Sequence, residues 1–414
     1  MVIVLRVCVL ISRDIRGPYG GASYRVVTLA KYLSKEIHKV VIVDSVRNSY
    51  IEVLHGQFAI RKLPYSVLVF LLSHIHDLIT KLLILLLHFP KEEAGRVANV
   101  FNVSLFLDSL RIALYERPHI IQVEEYFSLV PLAFILKKIV GSKLLILSTH
   151  NIETYRLLRD PNCRSSLFIR LVSALEHIAY MLSDCIFVVS ELDAKRLKAF
   201  TGYGDKVEVV PNFVDFKAIE KQLNTPVNRF KKLLEKRKPL LIFHGDFRYL
   251  PNREALRLLL TKIMPSVIKK YPKAMLVVAG AGLSKLVKQN IIYVGYVEDL
   301  YSLISLADIA VVPLLRGGGT RIKIIEYMAC KVPVISTVIG AEGLNLENYK
   351  DAIITDIGSF VDSITLLVEH PNLRELLIMN ALRKVKQNYD IEIVAKKVVS
   401  VYYKLFKLKL KLIS

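Results

Sequence analysis

The chain has 414 residues, which is too long for one typical domain and suits two domains of about 200 residues, each with a sizeable core. Its net charge of +21 favours an anionic partner, whether nucleic acid, anionic lipid or a phosphorylated ligand. Four scattered cysteines lack C-x-x-C spacing, which excludes the usual zinc patterns and is typical of small core residues in a reducing compartment.

The chain begins with an apolar stretch, residues 2–10, that predicts a first strand. Arg6 interrupts it and no small-residue cleavage site follows, so a strand is favoured over a signal peptide. A loop containing Gly20 and Gly21 comes next, and residues 22–33 have helical periodicity. The loop contains no G-x-G-x-x-G string, so it does not meet the nicotinamide-dinucleotide fingerprint.

The longest apolar region covers residues 63–89. His74, Asp77 and Lys81 are among the polar residues that interrupt it, so no run reaches the roughly 18–20 residues that a spanning helix needs. Its apolar residues recur at helical spacing and also lie outside the main stripe, which predicts a helix that is apolar over more than one face. A helix packed in the core and a helix resting in the membrane interface both fit this pattern.

Two predicted strands of the first half end in polar residues. The strand 119–123 is followed by Glu124 and Glu125, and the strand 144–148 leads to His150. Because ligands bind at the carboxyl ends of strands in open α/β sheets, His150 is a candidate functional residue. The acidic pair is interpreted as a charge pair at a helix N-terminus, since no D-x-D motif occurs in the sequence to support a metal site.

The second half restarts with a strand at 240–243, after which Gly245 begins a turn and Asn252 is expected to cap a helix that runs to about residue 270. The strand 274–279 is followed by Gly280 and Gly282. The third glycine of a dinucleotide fingerprint would fall at Lys285, so that motif fails here as well.

The most informative segment covers residues 308–344 and predicts a strand, a glycine loop, a helix, a strand and a glycine turn. The loop contains Gly317, Gly318 and Gly319, and Thr320 is the expected N-cap of the helix, whose buried face is expected at Ile322, Ile325 and Met328. Such a loop presents backbone N–H groups and the positive end of the helix dipole to a phosphate or diphosphate.

Charged side chains accompany this glycine loop. Arg321 and Lys323 add positive charge beside it, and Glu326 lies one helical turn further on, where its carboxylate could accept hydrogen bonds from sugar hydroxyls. An ordinary β-α-β unit with a solvated charged face is the alternative for the glycines taken alone.

The whole string G-G-G-T-R-x-K-x-x-E-x-M-A, followed by P-V-I-S-T and G-x-E-G-L, resembles the donor-binding signature of one subgroup of the retaining glycosyltransferases of family 4. Three shorter strings are also similar to that family: H-N-I-E at 150–153, V-P-N-F-V-D at 210–215, and the G-x-x-x-x-x-P-N string ending at Asn252. The resemblance covers about residues 8–381. It implies an α/β fold called GT-B, in which two Rossmann-like domains face each other across a cleft.

The resemblance also implies a domain division. Residues 1–212 would form the acceptor domain, 213–238 a linker, and 239–389 the nucleotide-sugar domain. Residues 390–414 would form a helix that crosses back to the first domain and a basic tail. The tail alternates lysine with apolar residues, which fits either a solvated end or a contact with anionic lipid.

Family positions then give each candidate residue an expected role, and the predicted catalytic residues are His150, Arg248, Lys323 and Glu326. The first loop of the second domain, with Gly245 and Arg248, would border the donor diphosphate, and Glu326 would hold the ribose hydroxyls. The remaining diphosphate contacts would come from Gly317, Gly318, Gly319, Thr320, Arg321 and Lys323. His150 and the loop of Gly20 and Gly21 would lie near the transferred sugar and the acceptor.

One departure from the family pattern concerns the sugar. Many members have a Glu eight residues before the position of Glu326, where this chain has Gly318, so the identity of the sugar is harder to infer. No metal and no cofactor are expected, since a nucleotide-diphosphate sugar would serve as co-substrate and a metal-dependent class is disfavoured by the lack of D-x-D.

The resemblance therefore implies a retaining glycosyltransferase with a glycan or lipid-linked acceptor. Together with the basic charge and the apolar segments, it predicts a cytoplasmic location, peripheral on the anionic inner face of the cell membrane. A nucleotide-sugar epimerase of similar build and a catalytically silent membrane-associated scaffold are the alternatives. A nucleic-acid binder is disfavoured because no recognised binding motif accompanies the basic charge.

Overall fold

The computed structural model describes residues 5–16, 21–46, 48–64, 66–87, 91–125, 127–160, 163, 166–224, 234 and 238–411. The chain divides into two compact units. Unit 1 comprises Met1–Pro211 and Val394–Ser414, and unit 2 comprises Asn212–Ile393. The helix Ile391–Lys411 therefore begins in unit 2 and continues as part of unit 1.

Unit 1 is a parallel sheet with helices around it and an antiparallel hairpin at one edge. Its strands are β1 (Arg6–Leu10), β2 (Lys39–Val43), β3 (Ser49–Leu54), β4 (Gln57–Lys62), β5 (Ile120–Glu124), β6 (Leu144–Ser148), β7 (Cys185–Val188) and β8 (Val207–Val209). They lie in the order β4-β3-β2-β1-β5-β6-β7-β8. β3 pairs antiparallel with both β2 and β4, and the other described pairs in this sheet are parallel. The described helices are Gly21–Glu36, Val67–Leu87, Lys91–Ala98, Val103–Glu116, Val130–Val140, Glu153–Leu158, Ser166–Leu182, Glu191–Thr201 and Ile391–Lys411.

The hairpin of β3 and β4 depends on a two-residue loop. His55 and Gly56 connect the strands with φ angles of +47° and +80°. Two successive residues with positive φ are typical of the type I′ turn, whose twist matches that of the flanking strands. Glycine adopts this conformation without strain, and His55 is held in it by the strand pairing on both sides.

The helix Val67–Leu87 packs on one face and exposes another. Val69 is buried, and Leu83 and Ile84 pack against the core of unit 1. Among the side chains of this helix that the structure describes, five apolar ones are exposed: Val67, Ile75, Leu78, Leu82 and Leu85. The last four recur at spacings of three and four residues, so they form one stripe, called here the apolar stripe. None of the described helices combines the length and apolarity that crossing a membrane would require.

Unit 2 is a second, mainly parallel sheet. Its strands are β9 (Leu240–His244), β10 (Met275–Ala279), β11 (Leu286–Lys288), β12 (Ile291–Gly295), β13 (Ile309–Val312), β14 (Val334–Ser336) and β15 (Ile353–Ile354). Their order is β11-β12-β10-β9-β13-β14-β15, with β11 antiparallel to β12. The described helices are Phe216–Leu223, Leu250–Leu258, Met264–Lys270, Leu300–Ile304, Ile322–Ala329, Val338–Ala341, Phe360–Glu369 and Pro371–Asn388.

The central strands β9, β10 and β13 are buried along their whole length, which explains why they appear in the sequence as continuous apolar runs. The described part of 213–238, which the sequence predicts as a linker, belongs to unit 2. Its helix Phe216–Leu223 contributes Phe216 and Ile219 to the core of that unit.

Candidate functional site

The glycine loop of unit 2 joins β13 to the helix Ile322–Ala329. Gly317 and Gly319 have φ angles of +128° and +62°, which L side chains rarely adopt. A Cβ atom at Gly317 would lie 2.9 Å from Nη2 of Arg321. The Arg321 guanidinium donates through Nη1 to the carbonyl oxygens of Gly318 and Gly319, so it folds back onto the loop and holds its shape.

The helix begins one residue later than the sequence predicts. Its N-cap is Arg321, and no side-chain hydrogen bond caps it. The expectation for Thr320 as N-cap is therefore wrong, because its Oγ1 instead accepts a hydrogen bond from Nδ2 of Asn212 at 2.7 Å. An N-terminus without a side-chain cap leaves backbone donors for a ligand or water. Ile325 and Met328 lie on the buried face as predicted, whereas Ile322 is half-buried.

Lys323 is held beside Gly245 by the first turn of the helix Leu250–Leu258. Its Nζ donates to Oδ1 of Asn252 at 2.8 Å and lies 4.5 Å from the ring centroid of Phe243. A Cβ atom at Gly245 would be only 2.8 Å from this Nζ, so the glycine makes room for the ammonium group. The sequence predicts Asn252 as the N-cap of its helix, and this prediction is wrong because the N-cap is Tyr249.

The environment of Lys323 changes its protonation. Burial and, to a smaller extent, the charge of Arg321 lower the pKa of Lys323 to about 7, while Glu326 acts in the opposite direction. A lysine in this range binds a proton more readily once negative charge arrives nearby. The group is therefore poised to become charged when an anion binds next to it.

Glu326 lies between two residues that the sequence interpretation missed. Its Oε2 is 2.9 Å from Nε2 of His244, and its Oε1 is 3.5 Å from the hydroxyl of Tyr301. His244 ends β9, and its backbone N–H donates to the hydroxyl of Tyr327 at 2.8 Å. The signal for His244 was present in the sequence, since it is the polar residue at the carboxyl end of a buried apolar strand.

Nδ1 of His244 is buried and has no hydrogen-bond partner within the described ranges. A buried polar atom without a partner is uncommon in native structures. Nδ1 of His244 can therefore donate a hydrogen bond to a ligand or accept one from it, next to Glu326 at the carboxyl edge of the sheet.

Arg248 lies in the same loop as Gly245, but its side chain pairs with Asp246. Its guanidinium forms a paired contact with the carboxylate of Asp246, with Nη2 to Oδ2 at 2.6 Å, and 69% of its side chain is exposed. The hydrogen bond from Arg248 lowers the pKa of Asp246, although partial burial opposes this. The structure therefore shows Arg248 as one member of a surface ion pair, and its expected contact with a diphosphate stays a prediction.

In unit 1, His150 contacts Glu124. Nε2 of His150 is 3.0 Å from Oε2 of Glu124, whose side chain is only 1% exposed. The interpretation of Glu124 and Glu125 as a charge pair at a helix N-terminus is wrong, because Glu124 is the last residue of β5 and its side chain is buried. Glu125 pairs separately with Arg13.

The residues after His150 form a capped turn. Glu176 accepts hydrogen bonds from the backbone N–H groups of Glu153 and Thr154 at 2.7 and 3.0 Å, so it supplies the cap of the helix Glu153–Leu158 from a distant helix. Asn151 donates to Glu153 at 3.2 Å. The H-N-I-E string thus builds the local structure that follows His150.

The remaining predicted positions have different outcomes. Gly20 lies outside the described residues, and Gly21 is the exposed first residue of the helix Gly21–Glu36. Among the described residues, no group of three or more His, Cys, Asp or Glu side chains is arranged to hold a metal ion.

Solved structures share the architecture of this chain. HepE from Anabaena in complex with UDP aligns with a TM-score of 0.65 at 14% identity and covers 97% of this chain and 100% of that chain. Sucrose-phosphate synthase from Thermosynechococcus elongatus aligns with a TM-score of 0.73 at 16% identity, with coverages of 97% and 100%. The predicted GT-B fold with two Rossmann-like domains is confirmed.

Two family models match the sequence. Residues 19–218 match the model described as Glycosyltransferase Family 4, and residues 238–370 match the model described as Glycosyl transferases group 1. The chain is a GT-B glycosyltransferase. A 178-residue part of this glycosyltransferase is 29% identical to an uncharacterized 44.6 kDa protein in the cps region of Klebsiella pneumoniae, and that match covers 40% of this chain and 45% of the Klebsiella protein. An uncharacterized glycosyltransferase of Methanocaldococcus jannaschii is 24% identical over 343 residues, which cover 75% of this chain and 80% of that protein.

Proposed function

We propose that this glycosyltransferase moves a sugar from a nucleotide-diphosphate sugar to a glycan or lipid-linked acceptor with retention of the anomeric configuration. The observation that carries the proposal is the arrangement in unit 2 of Lys323, Glu326 and the glycine loop at the carboxyl edge of the sheet. HepE, which shares this fold, has been solved in complex with UDP and with UDP-glucose, which supports the same class of donor here.

In this proposal the diphosphate lies against the glycine loop and the start of the helix Ile322–Ala329. The glycosidic bond breaks toward the diphosphate, which gains negative charge as it leaves. Backbone N–H groups, the helix dipole and the Lys323 ammonium would stabilise that charge. Glu326, oriented by His244, would accept hydrogen bonds from the ribose hydroxyls.

The test is a donor panel with product analysis. Purified protein is incubated with nucleotide-diphosphate sugars of several bases, and the release of nucleoside diphosphate is measured with and without a glycan or lipid-linked acceptor. We expect turnover of at least one donor and its loss in Glu326→Ala. A panel with no turnover and no binding would contradict the proposal, and a new nucleotide sugar formed without acceptor would indicate an epimerase instead. The anomeric configuration of an isolated product, measured by NMR, tests retention.

We further propose that the protein works on an anionic membrane surface. The apolar stripe of Ile75, Leu78, Leu82 and Leu85 and the net charge of +21 support this location. We expect the protein to float with vesicles containing anionic lipid and not with neutral vesicles. The double variant Leu78→Ser/Leu82→Ser should lose flotation, while Val287→Ser, which changes an exposed apolar residue of unit 2, should keep it. Equal flotation of both variants would contradict the role of the stripe.

A further inference from the structure

In the hydrogen bond between His150 and Glu124, the donor and the acceptor can be assigned. A carboxylate can only accept hydrogen bonds, so at the 3.0 Å separation Nε2 of a neutral His150 is the donor. Nδ1 then has an unprotonated lone pair, and it has no hydrogen-bond partner in the part of the chain that the structure describes. From this we infer that Glu124 is a positioning residue that selects the Nε2–H tautomer of His150 and leaves Nδ1 to accept a proton or a hydrogen bond from a ligand. The value of that tautomer for sugar transfer rests on the proposed function.

The charge on Glu124 is maintained by its surroundings. Burial opposes ionisation, but the hydrogen bond from His150, the charge of Arg25 and the hydrogen bond from the amide of Gln122 lower the pKa of Glu124 below its ordinary value. Arg25 is itself buried, and its guanidinium donates to the carbonyl oxygens of Val210 and Pro211 at 2.9 and 2.8 Å. The carboxylate is therefore ionised at neutral pH and acts as a fixed acceptor for His150.

A second layer of hydrogen bonds orients the carboxylate. Gln122 donates through Nε2 to Oε1 of Glu124, and Oε1 of Gln122 accepts from the hydroxyl of Tyr402. Burial raises the pKa of Tyr402 well above its ordinary value, so this hydroxyl keeps its proton and remains a donor. The Tyr402 ring also stacks on Phe187 at 6.1 Å between centroids. Donation from Tyr402 fixes which side of the Gln122 amide faces Glu124.

Each hydrogen bond in this network of unit 1 has a defined donor and a defined acceptor. Tyr402 belongs to the last helix, Ile391–Lys411, and is separated from Gln122 by 280 positions in the sequence. The chain of donors runs from Tyr402 through Gln122 to Glu124, and His150 donates to the same carboxylate from the other side.

The first measurement reads the tautomer directly and needs no substrate. The full chain is labelled with ¹⁵N-histidine, and long-range ¹H–¹⁵N correlations are recorded at about pH 8, where histidine is ordinarily neutral. The His150→Gln variant identifies the signals of His150. We expect the Nε2–H pattern in the wild type and its loss or mixing in Glu124→Gln, since an amide can also donate to Nε2. Glu125→Gln is the matched control and should keep the wild-type pattern, because Glu125 contacts Arg13 and not His150.

The second measurement follows turnover of a nucleotide-diphosphate sugar that the wild type accepts. Glu124→Gln should lower kcat roughly tenfold or more, with KM for the donor changed less than about twofold, because the proposed donor contacts lie in unit 2. Tyr402→Phe keeps the aromatic ring but removes the hydroxyl that donates to Gln122. It should therefore also lower kcat, but by less than Glu124→Gln does. Glu125→Gln should match the wild type.

The outcomes separate the two ideas. If the wild type turns over no donor, the proposed function fails, while the tautomer data still decide the role of Glu124. If the wild type is active and Glu124→Gln keeps both its kcat and the pure Nε2–H pattern, the inference about Glu124 is wrong and the proposed function stands. If the melting curve shows that Glu124→Gln does not fold, Tyr402→Phe replaces it as the test. In that case, a Tyr402→Phe variant that keeps both the Nε2–H tautomer of His150 and the wild-type kcat would overturn the inference.

Discussion

Lys323 gives a quantitative prediction for the binding of a nucleoside diphosphate. Burial, followed by Arg321, lowers the pKa of this lysine to about 7, so at about pH 8 only about one-tenth of the molecules carry the charged ammonium. A diphosphate bound near Nζ adds negative charge and raises this pKa back toward the ordinary lysine value of 10.5. Binding at about pH 8 should therefore take up about 0.9 of a proton per site.

Isothermal titration calorimetry with UDP, GDP and ADP tests this, because the observed heat depends on the ionisation heat of the buffer in proportion to the protons taken up. At about pH 8 the terminal phosphate is fully ionised, since its second pKa is near 6. Lys323→Met should bind more weakly and take up almost no proton. Lys331→Met, which removes an exposed lysine beyond the same helix, should retain the wild-type uptake. A wild-type uptake near zero, or an equal uptake in Lys323→Met, would refute the reasoning.

Three other predictions concern stability and affinity. Without ligand, the free energy of unfolding of the wild type, measured by urea denaturation, should rise with pH between about 7 and 10.5 relative to that of Lys323→Met. The reason is that Lys323 binds a proton in the unfolded state that it has lost in the folded state. An equal pH dependence in the two proteins would contradict this. Glu326→Gln should weaken the binding of a nucleoside diphosphate by roughly 10- to 100-fold in calorimetry, the range for a hydrogen bond to a charged group, and an unchanged Kd would count against the ribose contact. Gly280→Ala should cost more than about 3 kcal/mol, because its Cβ would lie 1.8 Å from the carbonyl oxygen of Gly245. Gly141→Ala, with no atom within 4 Å, should cost about 1 kcal/mol in the same denaturation assay.

The sequence predicts the sheets well because their strands are short apolar runs that end in glycine, proline or polar residues. The glycine loop at 317–319 and the helix after it were also predictable from local chemistry alone. The hairpin at His55 and Gly56 was not, because His-Gly is a weaker turn signal than Asn-Gly and the positive φ of His55 depends on strand pairing.

Contacts between distant residues were beyond the reach of local patterns. His244 and Glu326 are separated by 82 positions, and His150 and Glu124 by 26, so only the folded sheets bring each pair together. The same limit explains the misread acidic pair. Glu124 and Glu125 look equivalent in the sequence, but Glu124 is the last residue of the fully buried strand β5 and contacts His150. Glu125 follows the strand with a φ angle of +67° and pairs with Arg13.

Stabilisation of the protein by a nucleotide-diphosphate sugar is the most direct test of the central claim, which is that the site of Lys323 and Glu326 binds the donor. A ligand at about 100 times its Kd stabilises the native state by about 2.7 kcal/mol, which raises the Tm measurably. We expect at least one donor of the panel to raise the Tm of the wild type and to leave the Tm of Lys323→Met/Glu326→Ala unchanged. No shift with any donor, or an equal shift in the double variant, would contradict the account.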